Sequence, residues 1–158
     1  MPAPSPVDDI KDNVYRHIIR VSRQVSQAGT DLVDALLAAN AHLSGHPNDG
    51  EFREWLARVA LRIRGRFGHV AVLHPIVALA DGMDEGEFDM LACIQKALDS
   101  LPHHFHAAYA AKDLEGLPWD KAAEGVGTTV AALRSKLPVA RQKIREIMDA
   151  GLVTSRRK

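Results

Sequence analysis

Residues 120–148, DKAAEGVGTTVAALRSKLPVARQKIREIM, constrain the fold most, because they have the spacing of two helices joined by a tight turn. Ala123 is small enough for two helices to cross closely, and Gly127 can take a positive φ without a Cβ clash. Thr129 offers a hydroxyl where the second helix would begin, so we expect it to be the N-cap. The stretch predicts a helix-turn-helix, although two ordinary packed helices joined by a Gly-rich turn would have the same pattern.

The second helix of this pair is amphipathic and basic. Its apolar residues recur at spacings of three, four and seven, the period of a helix with one buried side: Val130, Leu133, Leu137, Ile144, Ile147 and Met148. From Val126 onward eight basic residues stand against two acidic ones, although the whole chain has a formal net charge of +0. A local basic patch is what phosphate binding needs, and a solvated helix face would look similar.

Pro138 lies inside this second helix. Proline lacks a backbone N–H and clashes with the preceding turn, at a cost of roughly 3 kcal/mol in a helix interior. We therefore expect the helix to kink or break after Leu137, which would limit its rigid part to residues 129–137.

The composition is that of a soluble globular protein. Of the 158 residues 46% are hydrophobic and 25% charged, enough for one domain or two small ones. Cys93 is the only cysteine, so neither an intrachain disulfide nor a thiolate zinc cage can form, and we expect a small core residue there. Neither a signal peptide nor a membrane span is visible, which predicts a cytoplasmic location.

No motif for catalysis, phosphate binding or a cofactor is visible, so we expect neither an enzyme nor a cofactor. The cluster of His103, His104 and His106 invites a metal interpretation, but only the outer pair has a spacing that suits one helix turn. We interpret these histidines as surface residues and predict no metal site.

Apolar periodicity predicts further helices before the helix-turn-helix pair, at about residues 9–27, 30–43, 51–67, 87–101 and 103–114. The third of these is rich in arginine, which suits either a polyanion or a solvated face. The fold class predicted is all-α, with a disordered lead (1–8), a three-helix domain (9–67), an apolar linker (68–86), a four-helix domain (87–150) and a basic tail (151–158).

The second of these domains resembles the promoter −35 binding domain, region 4, of sigma-70 family factors. The resemblance lies in Leu101 with Pro102, the stretch LEGL at residues 114–117, Ala123 with Glu124 before Gly127, and Leu133 to Leu137 followed by Ala140 and Arg141. The first domain resembles region 2 of the same factors through Asp31, Leu32 and Val33 and through residues 52–64. The length of the two domains is that of the extracytoplasmic-function (ECF) group.

This resemblance implies a bacterial transcription initiation factor that binds core RNA polymerase and promoter DNA, and that an anti-sigma factor could hold inactive. The implied −35 contacts are Thr129, Ala131, Ala132, Arg134, Ser135, Lys136 and Arg141. The implied −10 contacts are Asn48, Asp49, Arg53, Trp55, Arg58 and Arg62. The implied polymerase contacts are Asp31, Leu32 and Asp34.

Two other functions fit the sequence. One is a sigma-like interaction protein that binds an anti-sigma factor or polymerase without initiating, supported by the alanine-rich second helix. The other is a stand-alone DNA-binding regulator that uses only the helix-turn-helix.

Overall fold

The computed structural model describes residues 6–24, 28–67, 78 and 89–153, and most of them are helical. The helices are α1 (Pro6–Ser22), α2 (Ala28–Gly45), α3 (Gly50–Phe67), α4 (Met90–Asp99), α5 (His103–Tyr109), α6 (Trp119–Val126) and α7 (Val130–Val153). A π-helical turn, Ala110–Leu114, continues α5. These ranges contain no strand, which confirms the all-α prediction.

Local sequence accounts for where several helices begin. Helix α1 starts at Pro6, earlier than predicted, with Asp8 and Asp9 in its first turn, where carboxylates interact favourably with the helix dipole. Helix α4 starts after Asp89, whose carboxylate accepts a hydrogen bond from Ala92 N at 3.1 Å. Residues 1–5 of the predicted lead, residues 154–158 of the predicted tail and all of the predicted linker except Ala78 lie outside the described residues.

The first three helices pack around the inward side of α3. The apolar residues that recur at helical spacing in the predicted third helix are all buried, at 2% exposure or less: Phe52, Trp55, Leu56, Val59, Ala60 and Ile63. They meet Val14 and Ile18 from α1 and Leu36 from α2 in one cluster. The helical period in the sequence thus predicted this core correctly.

The expectation that the second helix of the helix-turn-helix would break after Leu137 is wrong. Helix α7 runs from Val130 to Val153 with Pro138 inside it. The physical reason lies beyond the proline, where Ala140, Ile144, Met148 and Leu152 are all at most 2% exposed. Burying these side chains favours continuing the helix by more than the proline costs.

The larger hydrophobic core contains residues that precede the predicted linker in sequence and residues that follow it. The buried residues of the second half of α7 belong to the same cluster as Tyr15 and Trp55 from the first three helices. The first turns of α7 instead pack in a separate small cluster with α5 and α6. Helix α7 therefore connects the small cluster around the α6–α7 turn at one end to the N-terminal helices at the other.

Candidate nucleic-acid interface

The turn between α6 and α7 has the geometry that the sequence predicted. Gly127 ends α6 in the left-handed region, with φ 82° and ψ 38°. The N–H groups of Gly127 and Thr128 both donate to the carbonyl of Ala123, at 2.9 and 3.0 Å. This αL cap satisfies the end of α6 and turns the chain sharply into α7.

Thr129 is the N-cap of α7, as predicted. Its Oγ1 accepts a hydrogen bond from Ala132 N at 3.1 Å, and its carbonyl accepts from Leu133 N at 3.0 Å. Leu133 and Leu137 are buried at 0% and 1% exposure in the small cluster, where they meet Ala122 and Ala123 of α6. Cap and cluster together fix the first two turns of α7 relative to α6.

Most of the predicted −35 contacts lie together on the outer side of these turns. Thr129, Ala131, Arg134 and Ser135 are exposed, and Ala132 and Lys136 are half-buried. A rigid helix end that carries a hydroxyl, small side chains and two cations is suited to enter a DNA major groove and contact base edges.

Arg134 is held in place by the aromatic ring of Trp119, a contact that the sequence pattern did not predict. Its guanidinium carbon lies 4.3 Å from the centroid of the Trp119 ring. Lys112 Nζ lies 4.8 Å from the same centroid and donates to the carbonyl of Leu117 at 2.8 Å. Trp119 is half-buried against the small cluster, so the ring is itself anchored.

Arg141, one of the implied −35 contacts, is turned toward Asp113 in the protein interior. Its Nε and Nη2 donate to the two carboxylate oxygens of Asp113 at 2.8 and 2.7 Å. The Asp113 side chain has no exposed surface, and the Arg16 guanidinium lies 4.0 Å from it. The hydrogen bonds with Asp113 raise the pKa of Arg141. In this conformation the implied −35 contact of Arg141 has no geometric support.

Arg145 is also neutralised within the protein. Its Nη1 donates to both carboxylate oxygens of Asp12 at 2.8 Å, and its Nε lies 3.6 Å from Asp8. Burial raises the pKa of Asp12 to about 6, although Arg145 acts in the opposite direction. Both carboxylates come from α1, so the basic surface of α7 is smaller than a count of its charges indicates.

The structure separates the predicted −10 contacts into exposed and internal groups. Asn48 and Arg53 are exposed, and Arg58 and Arg62 are half-buried. The Asp49 carboxylate caps α3 by accepting from Phe52 N at 3.1 Å. The remaining candidate, Trp55, is 2% exposed, and its indole N–H donates to the hydroxyl of Tyr15 at 2.6 Å. A DNA contact by Trp55 would therefore require the core around it to open.

The three predicted polymerase contacts occupy different environments on α2. Asp31 accepts from Arg20 at 3.3 Å, and Leu32 is 5% exposed. Asp34 is exposed. One turn further along α2, the apolar side chain of Leu37 is 44% exposed.

The described residues offer little to a metal or a small ligand. Among them no three His, Cys, Asp or Glu side chains are grouped so as to hold a metal ion. A cavity of about 320 Å³ lies between α4 and the end of α7, where Cys93 and Lys96 meet Ile147. Burial raises the pKa of the Cys93 thiol, which disfavours the reactive thiolate. None of the described helices is both long and apolar enough to cross a membrane.

Comparison with known proteins gives one informative match. An ECF RNA polymerase sigma factor, SigE of Mycolicibacterium smegmatis, is 29% identical to this chain over 149 residues. The match covers 87% of this chain and 58% of SigE, so the chain spans less than two thirds of that relative's length. No protein-family model and no solved structure matches the chain. The similarity to SigE supports the resemblance to ECF sigma factors that the sequence motifs indicate.

Proposed function

We propose that this chain is an ECF-type sigma factor, which binds core RNA polymerase and directs it to a promoter whose −35 element is read by α7. The observation that carries the proposal is the rigid, capped end of α7, where Arg134, Ser135 and Lys136 follow Thr129 on an outward-facing surface. The similarity to SigE over most of the chain supports it. Base edges would be contacted by Arg134 and Ser135, and phosphates by Lys136 and the free N–H groups at the helix end.

The proposed polymerase contact is the outer side of α2. Asp34 is exposed there, and Leu37 lies one turn away on the same helix. An exposed leucine next to a carboxylate is suited to a protein partner with an apolar groove and a basic rim. Leu32 is itself buried, so it would support this surface indirectly, by packing α2 against the neighbouring helices.

Reading two promoter elements at once requires α7 to move away from α1. Along α7, Val130 and Asp149 are about 29 Å apart at 1.5 Å per residue, and Asp149 contacts Tyr15 and Lys11 of α1. The −35 and −10 elements are separated by about 25 base pairs, or about 85 Å of straight duplex at 3.4 Å per base pair. Because Trp55 on α3 contacts Tyr15, and α3 itself spans only about 27 Å at 1.5 Å per residue, the packed arrangement is too short to reach both elements, and we propose that it opens on polymerase.

Reconstitution with core polymerase tests the proposed function. The purified chain is added to bacterial core polymerase and a library of genomic fragments, and the start sites of the transcripts are mapped. We expect initiation downstream of a shared two-element sequence, and the Arg134→Ala variant should initiate there much more weakly. Binding to polymerase without any specific transcript would contradict initiation and favour the non-initiating interaction protein.

The remaining alternative is distinguished by DNA binding without polymerase. A stand-alone regulator would bind its site tightly as the free chain, with a steep salt dependence from phosphate contacts. A sigma factor of the proposed kind would require core polymerase for tight, two-element binding. Gel-shift titrations with and without core polymerase separate the two.

A cross-link between α1 and α7 tests whether opening is required. Lys11 Nζ and Asp149 Oδ2 are 3.3 Å apart, so cysteines at these two positions, in a Cys93→Ser background, can be joined by a short bismaleimide. The cross-linked protein should lose two-element initiation, whereas each single-cysteine protein treated with the same reagent should retain it. Full activity of the cross-linked protein would contradict the opening step.

A further inference from the structure

Trp119 and Arg134 form a contact between the two helices of the helix-turn-helix. Trp119 is the first residue of α6 and follows Pro118, the N-cap residue. The guanidinium carbon of Arg134 lies 4.3 Å from the centroid of its ring. Arg134 is exposed nevertheless, because it stands on the outer side of α7. The contact is thus made at the surface that would face DNA.

The contact restrains Arg134 without using up its hydrogen-bond donors. A cation–π contact engages the face of a guanidinium, while the five N–H donors lie in its plane and stay free for a bidentate partner. An unrestrained arginine side chain loses considerable rotamer freedom when it binds, and a side chain that is already oriented loses less. Trp119 therefore lowers the entropic cost of a specific contact by Arg134.

The ring of Trp119 is itself held in place by the residues that pack around it. Trp119 packs against the small cluster around Leu133 and Leu137, and Lys112 Nζ lies 4.8 Å from the same ring. Lys112 is tied in turn to the carbonyl of Leu117. Since both α6 and α7 belong to that cluster, the ring and the Cα of Arg134 keep a constant relative position.

We propose that Trp119 is a positioning residue that sets the sequence specificity of α7 by orienting Arg134 toward a guanine in the major groove. Guanine is the base whose O6 and N7 acceptors match a bidentate arginine. Trp119 itself makes no base contact in this proposal. The inference rests on the proposed DNA-reading function of α7.

Selection from a random duplex library tests the proposal. The full chain, bound to bacterial core polymerase, selects sequences in parallel as wild type, Trp119→Leu, Trp119→Phe, Arg134→Ala and the Trp119→Leu/Arg134→Ala double variant. We expect Arg134→Ala to lose preference for guanine at one position. Trp119→Leu should reduce the preference at that same position by about 2- to 5-fold, the range for an exposed cation–π contact. Trp119→Phe, which keeps an aromatic face, should restore most of it.

Three comparisons separate positioning from a purely structural role. The double variant should discriminate no worse than Arg134→Ala alone, because Trp119 acts only through Arg134. Lys136→Ala should weaken binding to all sequences alike and lower the salt slope, whereas Trp119→Leu should leave that slope unchanged. Thermal unfolding followed by circular dichroism checks that each variant folds.

Several results would overturn the proposal. Uniform weakening across all sequences by Trp119→Leu would mean that the ring only supports the fold. An unchanged or sharper guanine preference would mean that the ring does not orient Arg134 productively. If the wild-type complex selects no sequence, the proposed function is wrong, and this inference, which rests on it, is wrong too. The two failures can be told apart, because failure of the proposed function already shows with the wild-type protein.

Discussion

The hydroxyl of Tyr15 on α1 donates a hydrogen bond to Asp149 near the end of α7, across 134 positions of sequence. The same hydroxyl accepts from the indole N–H of Trp55 on α3 at 2.6 Å. Tyr15 has no exposed surface, and its burial, together with Asp149, raises its pKa well above the ordinary value. One buried hydroxyl therefore connects three helices that are far apart in sequence.

Replacing Tyr15 by Phe should destabilise the folded chain by about 1–3 kcal/mol, the usual cost of leaving buried polar partners unsatisfied. The ring would still fill its space, so the loss would come from the indole N–H of Trp55 and the Asp149 carboxylate. Urea unfolding monitored by circular dichroism measures the change. A double-mutant cycle with Asp149→Asn should give a coupling energy of about 1 kcal/mol or more. Strict additivity would show that the two side chains do not interact in solution.

The Asp12 carboxylate should make stability fall as the pH rises from about 4 to 6. Burial raises its pKa from 3.8 to about 6, so in this range the folded protein keeps a proton that the unfolded chain releases. The stabilisation is complete below pH 3.8 and is lost as the pH rises through about 6. The total stability lost is about 3 kcal/mol, and about half of it is lost between pH 5 and pH 7.5.

Comparing wild type with Asp12→Asn at several pH values isolates this effect, because all other groups titrate in both proteins. As the pH rises, the free energy of unfolding of wild type should fall relative to that of Asp12→Asn. Asp9→Asn, on the exposed side of α1, provides a control for the loss of a carboxylate from this helix. A difference that moved in favour of wild type would mean that Arg145 outweighs burial and depresses the Asp12 pKa.

The helix-turn-helix could be predicted from sequence because its signals are local. Gly127, Thr129 and the spacing of Leu133 and Leu137 all act within one or two helical turns, and the structure places each in its predicted role. The buried side of α3 could be predicted for the same reason, from the helical spacing of its apolar residues. The assignment of bases or phosphates to particular side chains stays a prediction.

The contacts between α1 and α7 could not be predicted, since nothing in a local pattern joins residues more than 130 positions apart. Asp12 on an amphipathic helix has the pattern of a solvated acid, and only the fold brings Arg145 beside it. Arg141 has the pattern of a free cation for the same reason, because its partner Asp113 lies 28 positions earlier in a π-helical turn. The wrong prediction at Pro138 has the same origin. The local cost of a proline in a helix can be read from the sequence, whereas the packing of the α7 residues beyond it cannot.

Replacing Asp113 by Asn should destabilise the chain by about 3 kcal/mol, because it leaves the Arg141 guanidinium facing a neutral group in a largely buried site. Adding Arg141→Met should recover part of the loss, since only Arg16, which also donates to the carbonyl of Asp12, then lacks the Asp113 carboxylate. Gln142→Ala, which removes an exposed hydrogen bond to Glu146, should change stability by less than about 0.5 kcal/mol. Chemical unfolding measures all three, and an Asp113→Asn variant as stable as wild type would contradict a structural role for the pair.

Pro138→Ala should stabilise the folded chain by about 1–3 kcal/mol. Pro138 is exposed, so the substitution removes no buried contact, while alanine supplies the missing N–H to the carbonyl of Arg134 and relieves the clash with that turn. Val139→Ala, also at an exposed position in the same turn, is the matched control and should change stability by less than about 0.5 kcal/mol. Thermal and urea unfolding give the comparison. If Pro138→Ala were neutral or destabilising, the backbone around Pro138 would have to be adapted to proline, and the helix would pass this point without the strain that a proline ordinarily introduces.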